Sequence, residues 1–77
     1  MKIRINDTNV ARKLVSIASN KKYADYDIDC IHGRYTIDMK SIMGMLSLAL
    51  PADVDIKIYA DENVEKEFYE YAKRIAL

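Results

Sequence analysis

Asp25-Tyr26-Asp27-Ile28-Asp29-Cys30-Ile31-His32-Gly33-Arg34-Tyr35-Thr36-Ile37-Asp38-Met39 is the stretch that decides the architecture of this chain. Its first half puts Tyr26, Ile28 and Cys30 on one side and Asp25, Asp27 and Asp29 on the other, the alternation of a strand with one wet face. His32-Gly33 then reads as a turn, because glycine adopts the positive φ that tight hairpins need. Tyr35, Ile37 and Met39 alternate next against Arg34, Thr36 and Asp38. Two such runs joined this closely form a β-hairpin, and a sheet with one polar face is antiparallel or mixed and covered on one side only.

The rest of the chain adds to that sheet from both directions. Upstream, Ile3 and Ile5 alternate with Lys2, Arg4 and Asn6, which predicts a first strand. Asp7 and Thr8 offer helix caps. Val10, Ala11, Leu14, Val15, Ile17 and Ala18 then recur at helical spacing, and the helix closes near Asn20-Lys21-Lys22. Downstream, Val54, Ile56 and Ile58 alternate with Asp53, Asp55, Lys57 and Tyr59 as a fourth strand. Asp61 and Glu62 open a last helix whose expected inner stripe is Val64, Phe68, Tyr71, Ala72 and Ile75, with Glu62 to Lys66 and Glu70 to Arg74 spaced as surface pairs. The predicted order is β-α-β-β-α-β-α. This is an α/β fold of the α+β kind, an open-faced β-sandwich with three helices on one face of a four-stranded antiparallel sheet, in a single domain over residues 1–77.

Between hairpin and fourth strand lies Lys40-Ser41-Ile42-Met43-Gly44-Met45-Leu46-Ser47-Leu48. Apolar residues at 42, 43, 45, 46 and 48 go most of the way round a helix, so part of this surface is expected to stay in water or meet a partner. Ser41 stands where that helix begins and is a natural N-cap.

The chain has 77 residues, 51% of them hydrophobic, which argues for one folded core without room for a cleft between lobes. Twelve basic residues balance twelve acidic ones. That balance argues against a general nucleic-acid binder and gives no reason for attraction to anionic membranes. No apolar run approaches the roughly 20 residues that cross a bilayer. Met1-Lys2-Ile3-Arg4 has no apolar segment behind it, so no secretory signal is expected. The single Cys30 fits a small buried hydrophobe in a reducing cytoplasm. Cys30 and His32 are too few for a structural zinc site, and no cofactor is expected.

Catalytic residues are hard to find. His32, the only histidine, falls in the predicted turn, where an exposed polar residue is ordinary. Asp25, Asp27 and Asp29 share a face that could hold a divalent cation loosely, but acidic residues on a strand's wet face serve solubility first. Tyr23, Tyr26, Tyr35, Tyr59, Tyr69 and Tyr71 could stack bases on an open sheet, yet the aspartates among them would repel phosphate. With only Gly33 and Gly44, no phosphate-cradling loop exists.

The residues from Lys40 to Leu48, the length, the element order and Leu14-Val15-Ser16-Ile17-Ala18-Ser19 together resemble HPr, the phosphocarrier family of the bacterial phosphoenolpyruvate:sugar phosphotransferase system. In that family a histidine within His-Ala-Arg-Pro opens the first helix and carries the phosphoryl group. Aligned on Ser41, Val10-Ala11-Arg12-Lys13 stands there instead, keeping the alanine and the arginine. Aligned on Leu14 to Ser19, the position falls on Asp7. Neither register supplies an imidazole, so Asp7, Val10 and Arg12 mark a degenerate active-site loop and no residue is assigned as catalytic. The resemblance also implies that the serine matching Ser41 is phosphorylated by a dedicated kinase and that the modified protein serves as a corepressor. Ile42, Met43, Met45 and Leu46 are then the partner-binding residues. The expected partners are proteins: a serine kinase, a transcriptional regulator or phosphotransferase-system components. Ser41 is equally an ordinary helix cap, and the two roles are compatible. The other open readings are a carrier that uses Asp7 as acceptor and a domain turned to unrelated work.

Overall fold

Four strands and three α-helices make up the computed structural model, which describes all 77 residues. Strand β1 covers Lys2–Ile5, β2 Ile28–His32, β3 Tyr35–Asp38 and β4 Ala52–Ile58; helix α1 covers Thr8–Ala18, α2 Ile42–Leu46 and α3 Glu62–Ala76. A single 3₁₀ turn, Lys21–Tyr23, follows α1. The sheet runs β1-β4-β2-β3 and every pairing is antiparallel. The antiparallel sheet expected from the sequence is the one observed, because both crossovers return the chain to an antiparallel slot.

Strand β4 holds the sheet together from its centre, and Ala52, Val54, Ile56 and Ile58 alternate strictly inward along it. Helices α1 and α3 pack on one another and cover that face with Ala11, Leu14, Val15, Ala18, Phe68 and Ala72. All sixteen buried residues are apolar, so apolar burial and not buried ion pairs holds the layers together. On the uncovered face, opposite charges stand directly across the ladder: Lys2 with Asp55, Arg4 with Asp53 and Asp29 with Lys57. Only the Arg4–Asp53 pair of these three is a direct side-chain ion pair, at 3.1 Å. Such exposed pairs contribute at most about 1 kcal/mol each, but they balance the charge of the face.

Several sequence expectations need correction. The strand expected from Asp25 starts at Ile28, so Asp25 and Asp27 lie in the preceding loop. The hairpin turn is Gly33-Arg34 and not His32-Gly33; Gly33 takes φ +59° while no other residue has positive φ, the pattern of a two-residue turn with glycine first. His32 therefore belongs to β2, paired with Tyr35. Tyr35 is 73% exposed although its phase in the strand is inward, because it ends an edge strand where no helix covers it. In α3 Tyr71 is also exposed, and Tyr69 packs on the core in its place. The expected pairs Glu62–Lys66 and Glu70–Arg74 do not close; Glu67 instead pairs with Lys22 of the 3₁₀ turn.

Candidate functional site

Helix α2 is built by its caps more than by its propensity, since five residues nucleate poorly on their own. Ser41 is extended at φ −93°, ψ 109°, and its Oγ accepts the Gly44 N–H at 3.1 Å. Before it, Asp38 Oδ1 accepts the Lys40 N–H at 3.0 Å and the Asp38 carbonyl accepts the Ser41 N–H at 2.9 Å. The turn from β3 into α2 is thus held by side-chain caps at both ends.

Shortness also accounts for much of the apparent excess of apolar residues. Leu48 and Leu50 follow the helix and pack on the core from irregular backbone. Met45 is fully buried, so its assignment to the partner surface is corrected: it is the residue that anchors α2 to the core. Leu46 is half-buried against that core. Ile42 and Met43 remain, at 38% and 82% exposed, on the first turn beside the half-buried Ser41.

Gly44 is what lets α2 approach the hairpin. A Cβ there would stand 2.9 Å from Ile37 Cγ2 and 3.3 Å from Ser41 Oγ. Ile37 is β-branched and cannot swing clear cheaply. Gly44→Val is expected to destabilise by about 1–3 kcal/mol through overpacking, more than any helix-propensity gain offsets. Thermal melts check it, and a variant at least as stable as wild type would show that α2 does not depend on this close approach.

Lys40 extends away from Ser41 in its contacts. Its Nζ donates to the backbone carbonyls of Tyr23 at 2.9 Å, Ala24 at 3.3 Å and Tyr26 at 2.6 Å. Hydrogen bonds from a charged donor contribute about 1.5–3 kcal/mol each, against about 0–1 for an exposed ion pair, so this cradle outweighs any surface partner on offer. Sequence reasoning missed it, since carbonyl acceptors carry no residue signature. The cradle's near end is itself anchored. Tyr23 donates its hydroxyl to Glu67 Oε1 at 3.0 Å, and burial together with that bond pushes the phenol up to about 12. Lys22 and Tyr23 in turn hold the Glu67 carboxyl below its ordinary range.

The start of α1 carries Asp7, Val10 and Arg12, which the sequence resemblance sets in a degenerate active-site loop. Asp7, at φ −153°, ψ 175°, is the N-cap and accepts the Val10 N–H at 3.0 Å. Val10 is half-buried on the core, and Arg12 is exposed without an ion pair. Helices α1 and α2 pack on one another.

His32 lies elsewhere. It shares the inward phase of Ile28 and Cys30, is half-buried, and its Nδ1 is buried without a hydrogen-bond partner. It lines an open groove of about 370 Å³ with Tyr35, Thr36, Ile37 and Ser47–Ala49, at the far end of α2 from Ser41. The acidic row expected on the hairpin is dispersed: Asp27, Asp29 and Asp38 border a surface depression with Tyr59, whose phenol is raised chiefly by its bond to Asp29, and no grouping of three or more His, Cys, Asp or Glu has the geometry to hold a metal ion. No helix is long and apolar enough to cross a membrane.

Fold and site define a small open-faced sandwich whose three helix starts are each capped by a side chain, the start of α2 beside an exposed apolar pair. The family model described as PTS HPr component, phosphorylation site, matches residues 7–76. Among solved structures, the Mycoplasma histidine-containing phosphocarrier protein is similar at 25% identity, covering 97% of this chain and 88% of that one with a TM-score of 0.68. The catabolite repression protein Crh of Bacillus subtilis, seen there as a swapped, intertwined dimer, shares the fold at 22% identity and TM-score 0.62, over 100% of this chain and 88% of its own. The chain belongs to the HPr family of the phosphotransferase system.

Proposed function

We infer that this chain works by binding proteins and not by relaying phosphoryl groups, and that Ser41 is its switch. The observation that carries this reading is the contrast between the starts of α1 and α2. At α1, where the family's phosphoryl-bearing histidine belongs, stand a capping Asp7, a core-packed Val10 and an exposed Arg12. Relay through an imidazole needs a ring nitrogen that becomes a phosphoramidate, and none of these side chains has one. At α2, Ile42 and Met43 face solvent within two residues of the Ser41 hydroxyl. An exposed methionine adapts to more than one partner surface. Transfer of a nucleotide's γ-phosphoryl to Ser41 Oγ, with release of the hydroxyl proton, adds about −1.5 to −2 of charge at the edge of that patch. Partners of this site are a serine kinase, a transcriptional regulator or phosphotransferase-system proteins, and the setting is the cytoplasm.

The exposed carboxylate of Asp7 favours one alternative, a carrier that forms an aspartyl phosphate. Two labelling reactions separate them. Incubation with enzyme I and labelled phosphoenolpyruvate is expected to leave no label on the chain, whereas an HPr serine kinase with ATP is expected to give acid-stable label that Ser41→Ala abolishes. Acid-labile label from the first reaction, lost in Asp7→Asn, would establish the carrier instead.

A further inference from the structure

An ammonium has three N–H donors, and in Lys40 all three have backbone acceptors, the carbonyls of Tyr23, Ala24 and Tyr26. No carboxylate lies within ion-pair distance of it. Yet Lys40 is the chain neighbour of Ser41, and a lysine beside a modified serine is the group expected to neutralise the new phosphate. We propose that the carbonyl cradle withholds Lys40 from Ser41, so that a phosphate there keeps its charge for a cationic side chain brought by a partner. The inference rests on the reading of Ser41 as a modified residue and adds how that modification stays legible from outside.

Three observations support it. The cradle holds Lys40 more strongly than a solvated ion pair would, for the reason given above. Its first acceptor is anchored, because Tyr23 is buried with its ring edge-on to Phe68 at 5.1 Å and its hydroxyl on Glu67 of α3. The Tyr26 N–H donates to the Tyr23 carbonyl at 3.1 Å and the Ala24 N–H to the Lys21 carbonyl at 3.2 Å, which keeps the three carbonyls converging. At its own backbone Lys40 is held too, by Asp38 Oδ1 on its N–H. Lys40 therefore ties the Ser41 segment to the loop before β2 without quenching what Ser41 carries.

The test installs phosphoserine at position 41 during translation, so it needs no kinase and its outcome is independent of the labelling experiment. Phosphorus NMR titrations of that protein and its Lys40→Met counterpart are expected to give phosphate pKa values within about 0.3 pH unit, because Lys40 is not the counter-ion. Loss of a true counter-ion would raise the value by more than that and overturn the proposal. A second readout needs no variant. Amide exchange at Tyr23, Ala24 and Tyr26 is expected to change less than about tenfold on modification of the wild-type chain, and a larger acceleration would show that Lys40 had left its cradle for the phosphate.

Discussion

Phe68→Ala is expected to lower stability by about 3–5 kcal/mol, the usual loss for truncating a buried phenylalanine. Phe68 is fully buried, is the largest such side chain in the molecule, and comes from the middle of α3. Tyr23 meets its ring edge-on at 5.1 Å with an interplanar angle of 80°, and Tyr69 does so at 6.3 Å. Those two contacts contribute a further ~0.5–1.5 kcal/mol each beyond area burial, and both vanish with the ring. A chain of this length has a total stability of roughly 4–12 kcal/mol, so the variant stands at the edge of unfolding at room temperature. Circular-dichroism melts should show the midpoint falling by on the order of 20–30 °C. Phe68→Leu, which keeps most of the volume, should lose less than half as much. An alanine variant melting within a few degrees of wild type would mean that α3 is held by something other than this residue. The same substitution removes the surface on which Tyr23 rests, so the loop that presents carbonyls to Lys40 should loosen with it.

How far the sequence could be read depended on how many residues each pattern spanned. The seven residues of β4 alternate without exception, and Val54, Ile56 and Ile58 of its inward set are legible in the sequence, while Ala52 at its start is not. Helix α1 has three turns in which Ala11, Leu14, Val15 and Ala18 define a stripe, and it was equally legible. Where an element is short, periodicity has no purchase. Five residues make about one and a half turns of α2, so nothing in the spacing could tell the anchoring Met45 from the exposed Met43. Alternation through Asp25, Tyr26 and Asp27 looked like a strand, but extended backbone in a loop alternates too, and only the partner strand decides where a ladder starts. In α3, Tyr71 lies about 60° from Phe68 around the helix and Tyr69 about 100°, so the spacing favoured Tyr71 as the inner residue. Tyr69 turns inward, and its hydroxyl accepts a long 3.5 Å contact from the Ile58 N–H. The candidate site divided along the same line. Ser41 and Asp7 were visible as caps because capping has a local signature, and the Asp7–Val10 and Ser41–Gly44 bonds have the spacing that signature implies. The Lys40 cradle joins residues 14 to 17 positions apart through main-chain oxygens, which no residue type announces.

Met43→Asp is expected to abolish partner binding, with an affinity loss of at least about 100-fold, while leaving the fold intact. Met43 is 82% exposed, so placing a carboxylate there should shift stability by no more than about 0.5 kcal/mol. In a complex the same position would be desolvated, and an unpaired buried charge is strongly unfavourable; truncating a central contact alone often costs about 2 kcal/mol or more. Ile42→Ala should weaken the same binding by a smaller factor, because Ile42 is only 38% exposed and half of its side chain stays in contact with the protein in either state. Met45→Asp should behave in the opposite way, since that side chain is fully buried: it should unfold α2 or the whole domain, and any binding loss would follow from that. The decisive comparison is titration calorimetry of wild type, Met43→Asp and Met45→Asp against one purified partner, run alongside melts of all three. Met43→Asp binding as tightly as wild type would remove α2 from the interface. It would leave the uncovered sheet face, with its balanced Lys2, Arg4, Asp29, Asp53, Asp55 and Lys57 charges, as the surface where a partner must then be sought.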